Sequence, residues 1–246
     1  MSARKYYTLD LSEDFRRDLR ETLEDMIDPV EINVFIDDNC ETCEDTVALI
    51  KAFEEEAPVR DGKKLITVKI YNKSNPSHQD EFKRQRVERV PTVTLIEGYI
   101  KYTGIPAEEE IRGFVETLLR ISEGDSGLED STKAILANLR KEVYIETIVT
   151  PACPYCPYAV LLANMFAYEA YKQGSKKVIS DTVEAYENPD IADSYGVHSV
   201  PAIAINKILA FIGVPYEEDF IRYVKAASEG KLEELVLKEY GDATSF

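Results

Sequence analysis

Four landmarks occur twice, in the same order, along the 246 residues of this chain, and they restrict it to two copies of one folding unit. The first half carries Cys40-Glu41-Thr42-Cys43, then Asn75-Pro76, then Val90-Pro91-Thr92-Val93, then Gly104-Ile105-Pro106-Ala107-Glu108-Glu109. The second answers with Cys153-Pro154-Tyr155-Cys156, Asn188-Pro189, Val200-Pro201-Ala202-Ile203 and Gly213-Val214-Pro215-Tyr216-Glu217-Glu218. Matching landmarks lie 113, 113, 110 and 109 residues apart. Two cores of roughly 120 residues each are also the commoner solution at this length. The units are expected over residues 1–122 and 123–246, joined through the turn formers Ser122-Glu123-Gly124-Asp125-Ser126-Gly127. So short a join keeps the units packed together and is compatible with one sheet running through both.

Within each unit, helical and extended patterns alternate. Phe15, Leu19, Leu23 and Met26 share one side of an amphipathic helix over 12–26, started by Ser12 with Glu13 and Asp14 behind it. Apolar, β-rich runs predict strands over 32–36, 65–71 and 92–97; helices are expected over 46–56, 80–86 and 108–121. The second unit repeats the order: helix 129–141, strand 143–149, helix 158–172, strand 177–185, strand 202–205, helix 217–228. The fold class is therefore α/β, each unit a mixed central sheet flanked by helices.

A hydrophobic content of 44% with 30% charged residues belongs to a folded globular chain. The formal charge of −17 would repel phosphates, so no nucleic-acid partner is expected. The segment from Met1 to Asp10 has Arg4 and Lys5 but no apolar leader core, and no stretch reaches the ~18 apolar residues of a membrane span. The expected compartment is the cytosol, where a Cys-x-x-Cys pair reads as redox or metal chemistry.

All four cysteines fall in the two pairs, each ending a strand-like run and opening a helix-like one. A thiol attacks only as thiolate, and its pKa near 8.5 must fall for that form to exist at neutral pH. The unpaired N–H groups and positive end of a helix's first turn favour the anion, and i,i+3 spacing brings a second sulfur within reach of a mixed disulfide. Cys40 and Cys153 are thus expected to be exposed nucleophiles, Cys43 and Cys156 the buried resolving thiols. The rival is zinc, but ribbon sites place their pairs ~15–20 residues apart, and here 109 residues separate Cys43 from Cys153. A proline opening a β-rich run, as Pro91 and Pro201 do, is compatible with a cis bond.

These residues resemble the thioredoxin fold, in which Cys-x-x-Cys opens a helix after a central strand and a cis-proline faces it. With both halves matching, the chain is similar to the tandem two-unit protein disulfide oxidoreductases of hyperthermophiles, relatives of glutaredoxin-like and disulfide-isomerase proteins. Cys153-Pro154-Tyr155-Cys156 is of the glutaredoxin type. The resemblance implies a dithiol/disulfide exchanger that reduces, forms or rearranges protein disulfides. It needs no bound cofactor and is recharged by a thioredoxin-reductase-like flavoenzyme; Pro91 and Pro201 are cis, and Val90 and Val200 offer backbone groups to a bound peptide. It implies disulfide or dithiol proteins as partners. Two alternatives stay open: a peptide-binding or chaperone module without catalysis, and a metal-binding protein. The chain departs from thioredoxins in lacking a Trp before either motif, where Asn39 and Ala152 stand, and in lacking the Asp buried beneath the cysteines. The nearest acid in the second unit is Glu146, seven residues before Cys153, either a proton acceptor for Cys156 or a carboxylate at a sheet edge. Asn33 takes that place in the first unit.

The residues inside and beside each motif (Glu41 and Thr42, Pro154 and Tyr155) are expected to tune its thiols. Asp37, Asp38, Glu41, Glu44 and Asp45 crowd the first motif without a cation, whereas residues 147–160 carry no charge. Part of that acidity has a simpler use, helix capping by Asp37 or Asp38. His78 and His198 read as loop histidines. There is no Gly-rich phosphate loop, so NADPH would have to act through a partner. Like charges raise a thiol pKa, and a thiol that holds its proton makes a disulfide that is harder to reduce. Thiolate titration of Cys43→Ser and Cys156→Ser variants is expected to give Cys40 the higher pKa; a lower pKa at Cys40 would overturn the charge argument.

Overall fold

The computed structural model describes residues 6–241; Arg4 and Lys5 lie outside the described residues. Helix α1 (Glu13–Leu23) begins where Ser12 Oγ accepts the Phe15 amide, and its apolar stripe buries Leu19 and Leu23. Strand β1 (Val30–Ile36) leads into α2 (Cys43–Glu56), and a small hairpin, β2 (Val59–Arg60) and β3 (Lys63–Lys64), precedes β4 (Ile66–Asn72). A 3-10 turn at Pro76–His78 opens α3 (Gln79–Arg84); β5 (Thr92–Leu95), β6 (Ile100–Thr103) and α4 (Glu110–Glu123) complete the first unit. The second unit runs α5 (Asp130–Leu136), β7 (Val143–Val149), α6 (Cys156–Lys172), β8 (Val178–Glu184), α7 (Pro189–Ser194), β9 (Ala202–Ile205), β10 (Ile208–Ile212), α8 (Glu217–Glu229) and α9 (Leu232–Tyr240).

Each unit contributes one strand more to the main sheet than the sequence pattern predicts. The strand expected over 92–97 stops at Leu95, because Ile96, Glu97 and Gly98 all take positive φ and reverse the chain into β6. In the second unit, Asn206 and Lys207 both have positive φ and make the two-residue turn between β9 and β10. Neither turn carries the Asn-Gly or Asp-Gly signal by which such hairpins are read. Helix α9 and the β2–β3 hairpin also went unread, and the helix expected over 129–141 stops at Leu136.

Of the ten described strands, β2 and β3 pair by themselves, and the other eight form one sheet in the order β10-β9-β7-β8-β6-β5-β1-β4. Only β5 and β9 run against the rest, so the C-terminal ends of β1 and β7 lie on the same edge. The units join through β6 and β8, which pair in parallel with Lys101 opposite Asp181 and Tyr102 opposite Thr182. One face of the sheet carries α1, α2, α4, α5, α6, α8 and α9 over the main core, which includes Ile32, Val34, Ile145, Val149, Phe114 and Phe220. Among the described residues the other face carries α3 over Phe35, Phe82 and Val87, and α7 over Ile148, Ala202 and Ala204. Strand alternation explains the division, since neighbouring residues such as Val34 and Phe35 point to opposite faces.

The main core crosses the join. Helices α4 and α6 approach closely at Gly113, where a Cβ would come within 3.3 Å of the Pro157 backbone. Asn164 of α6 is fully buried; its amide donates to Tyr102 Oη (2.8 Å) and Thr117 Oγ1 (3.1 Å) of the first unit and accepts from Ser180 Oγ (2.7 Å). A buried polar group left unpaired costs about 1–3 kcal/mol, so this amide ties the units by making separation expensive. Asn164→Leu is expected to lower stability by about 2–3 kcal/mol by chemical denaturation, with fluorescence and circular dichroism still coincident; an unchanged midpoint would show that the network contributes nothing net.

Candidate active site

Both cysteine pairs are closed as disulfides: Cys40–Cys43 with Cα atoms 5.4 Å apart and Cys153–Cys156 with 5.5 Å. Each follows a central strand, β1 or β7, and its second cysteine is the first residue of α2 or α6. Both therefore open helices at the same edge of the sheet, four strand spacings apart or about 19 Å at ~4.8 Å each. The Val90–Pro91 and Val200–Pro201 bonds are cis. Pairing of β5 with β1 (Thr92 opposite Phe35) and of β9 with β7 (Ala202 opposite Ile148) sets each proline beside the strand end that carries a disulfide. Pro91 and Pro201 are buried, with Val90 and Val200 half-buried before them.

Cys43 and Cys156, expected to be the resolving thiols, are buried, at 3% and 0% exposure. Cys40 and Cys153, expected to be exposed nucleophiles, are less open than that expectation. Cys40 is half-buried, and Cys153 retains only 6% of its surface. The first unit supplies part of that cover: the Glu109 amide donates to Pro151 O (3.1 Å), and the Arg112 guanidinium reaches Pro154 O (3.5 Å). The Cys156 amide, at the helix start, donates to Cys153 Sγ at 3.1 Å, the contact that stabilises a thiolate there. Beside it Tyr155 and Tyr158 stand exposed.

The acidity of the first site is differently used than the sequence implies. Asp37 and Asp38 do not cap α2, whose N-cap is Thr42; they accept from Ser74 Oγ (3.0 Å) and Asn72 Nδ2 (2.7 Å), binding the motif's approach to the end of β4. Those partners hold the Asp38 carboxyl below its ordinary range. Tyr7 Oη donates to Asp45 Oδ2 at 2.7 Å. Thr42 donates to Glu187 of the second unit, a residue the sequence reading passed over because nothing local marks that loop.

Glu146 is a correction. It is buried and its carboxyl is raised, first by burial, yet it does not lie beneath Cys156. It shares the face of Ile148 and accepts from Tyr195 Oη, whereas Cys156 packs in the core formed on the face of Ile145 and Val149. There Glu146 lines a cleft of about 620 Å³ with Lys101, Tyr144, Asp181 and Arg89. His78 serves structure, its Nδ1 accepting from the Asn72 amide (2.8 Å), and His198 is exposed.

A more deeply buried acid lies on α4 of the first unit, the helix that packs on the second motif's segment. Glu110, in the first turn of α4, is 2% exposed, and neither carboxyl oxygen has a hydrogen-bond partner. It lies on α4 between Glu109, bonded to Pro151, and Gly113, packed on Pro157, in the turn of the helix that packs on the segment holding Cys153 and Cys156. Burial, with Glu109 nearby, pushes it up to about 8. A sequence signal existed: Glu110, Phe114, Thr117 and Leu118 share the buried stripe of α4. Glu184, at the end of β8, is likewise raised by burial to about 7.

Comparison with known proteins places this geometry. The thioredoxin-domain family profile matches residues 30–116 and again 143–225. The crystal structure of a protein disulfide oxidoreductase from Aeropyrum pernix is 61% identical, covers 93% of this chain and 98% of its own, and superposes with a TM-score of 0.91. The chain belongs to the protein disulfide oxidoreductases, tandem thioredoxin-domain proteins. It is a protein dithiol/disulfide oxidoreductase with two Cys-x-x-Cys sites. One domain's length of it is 33% identical over 87 residues to a probable thioredoxin of Methanothermobacter thermautotrophicus, covering 35% of this chain and 98% of that one. The NTD_N/C domain of alkylhydroperoxide reductase AhpF from Enterococcus faecalis, 20% identical over 87% of this chain and 100% of its own at a TM-score of 0.75, shares the two-domain fold.

Glu110 is neutral below its raised value and charged above it, so the native state holds a proton that the unfolded chain has released between about pH 4.5 and 8. The wild type is expected to lose stability relative to Glu110→Gln as pH rises through that window. Thiol-exchange rates at the second site should lose an inflection near pH 8 in Glu110→Gln and keep it in Glu146→Gln; the reverse would return the proton-acceptor role to Glu146.

Proposed function

We propose that each site runs a two-step exchange. The Cys40 or Cys153 thiolate attacks a substrate disulfide, forming a mixed disulfide and expelling one substrate thiolate, which takes up a proton. Cys43 or Cys156, losing its proton, then attacks the nucleophile's sulfur; the substrate leaves as a dithiol and the protein keeps the disulfide, with two electrons transferred. The same steps in reverse oxidise a dithiol. At the second site Glu110, poised near neutrality and without a competing partner, takes the Cys156 proton and returns it in the reverse direction.

The observation that carries this reading is the placement of both disulfides at helix starts on one sheet edge, each beside a strand opened by proline. A substrate segment would lie extended along Val90-Pro91 or Val200-Pro201, taking backbone hydrogen bonds as a short added strand. No bound cofactor enters the cycle; a thioredoxin-reductase-like flavoenzyme restores the dithiols, and the protein works in the cytosol on disulfide-bearing or dithiol proteins. No helix among the described residues is long and apolar enough to cross a membrane.

Insulin disulfide reduction with dithiothreitol tests the reading in the wild type, in each double Cys→Ser variant and in the four-Cys→Ser variant. Loss of Cys153/Cys156 is expected to abolish turnover and loss of Cys40/Cys43 to slow it. Turnover that survives in the four-Cys→Ser variant would overturn thiol exchange, and equal losses from the two double variants would overturn the inequality of the sites.

A further inference from the structure

The second unit reaches into the first unit's motif. Glu187 sits on the turn after β8, and its two carboxylate oxygens are both engaged by the first unit: Oε1 accepts the Ile105 amide at 2.7 Å, and Oε2 accepts the Thr42 hydroxyl. Thr42 lies between Cys40 and Cys43 and is the N-cap of α2, its carbonyl taking the Thr46 amide (2.9 Å) and hydroxyl (2.8 Å).

The approach is built on both sides. The turn is held by Glu184, which accepts the amides of Tyr186 (3.0 Å) and Glu187 (2.6 Å), and by Asn188, whose amide donates to Thr103 O (3.2 Å) across the join. Gly104 makes room for it: with φ +106°, any Cβ there would stand 2.6 Å from Glu184 Cβ and 3.0 Å from Glu187 Oε1. The other carboxyl groups around the motif are Asp37, Asp38, Glu41, Glu44 and Asp45 on its own segment, Asp37 and Asp38 held by Ser74 and Asn72, and Glu184 on the same turn as Glu187. Tyr7 donates to Asp45, and the Arg89 guanidinium before Val90 is paired with Asp190. Tyr7 registers the local field, its hydroxyl raised above its ordinary range by burial, then by Asp45 and by the charge of Glu187.

We infer that Glu187 is a positioning residue that sets the redox poise of the Cys40–Cys43 site from the other unit, acting through Thr42. The inference rests on the redox reading above. Two effects act in the same direction. The carboxylate adds a negative charge that disfavours a thiolate at Cys40. It also occupies the Thr42 hydroxyl, the side-chain donor inside the motif, which would otherwise be free to turn toward sulfur. Both favour the protonated dithiol, hence a disulfide that is harder to reduce. The second motif has no such contact in its corresponding place: Pro154-Tyr155 offers no hydroxyl next to Cys156 except the exposed phenol.

The test uses the full chain in a Cys153→Ser/Cys156→Ser background, so that the first site alone titrates. Glu187→Gln keeps a hydrogen-bond acceptor of the same shape and removes the charge; Glu187→Ala removes both. Alkylation rate against pH is expected to show the Cys40 thiolate fraction at neutral pH rising up to about tenfold in Glu187→Ala, one pKa unit, and less in Glu187→Gln. Equilibration with dithiothreitol should show the disulfide easier to reduce in the same order. In a Cys40→Ser/Cys43→Ser background the same substitutions should leave the second site's equilibrium unmoved. An unchanged Cys40 titration in Glu187→Gln, which preserves packing even where Glu187→Ala unfolds, or an equal shift at the second site, would overturn the inference. A first site with Glu187 intact that fails to exchange with dithiothreitol at all would overturn the redox reading beneath it.

Discussion

The parallel pairing of β6 with β8 is the constraint on which the rest of the molecule depends. Four strands of each unit become one sheet there, and the polar groups that the pairing buries must be satisfied across it. Asp181 takes hydrogen bonds from Thr103 Oγ1 (2.8 Å) and Tyr144 Oη (2.5 Å), Lys101 reaches Arg86 O (2.6 Å), and Asn164 joins Tyr102 and Thr117 on the opposite face. Burial pushes the Lys101 ammonium down and the Asp181 carboxyl up, so the pair is weak evidence for net stability. Its value lies in register. A slip of one residue would turn Lys101 and Asp181 into the helix-covered core and leave both uncompensated.

That pairing decides what surrounds each disulfide. Joined head to tail, the second unit's β8 turn falls against the first motif, and the first unit's α4 falls against the second. Each site therefore receives a carboxylate from the unit to which it does not belong. The two carboxylates differ in state. Glu187 is half-buried with both oxygens engaged, whereas Glu110 is buried without a partner and holds its proton up to about pH 8. At neutral pH Glu110 thus adds little negative charge against Cys153, where the helix-start amide already favours thiolate. The charge contrast between the two motifs therefore also depends on carboxylates that are not the ones nearest in sequence.

Much of the fold was legible because its signals are local. Apolar, β-rich runs such as 143–149 and the amphipathic stripe of α1 specify their elements from within, and the cysteine pairs announce a helix start because that place lowers the cost of a thiolate. The hairpins at 96–98 and 206–207 were not legible because Gly98 and Asn206 share positive φ with Ile96, Glu97 and Lys207, so neither turn spells an Asn-Gly or Asp-Gly pair. Glu146 shows the limit most clearly. Its distance from Cys153 along the chain pointed to it, but strand alternation sends it to the α7 face, where Tyr195 takes it.

The sequence by itself determined the number of units, the order of their elements, the four redox sulfurs and the two prolines, since each is written in spacing and in residue chemistry that repeats. The tertiary structure alone decided which strands meet at the join, that both disulfides open on one edge, and which carboxylates stand beside them. Glu110 is 43 residues from Cys153, and Glu187 is 145 residues from Thr42. Contacts of that kind arise from packing two covered surfaces together, and their energies depend on burial, which no local run of residues encodes.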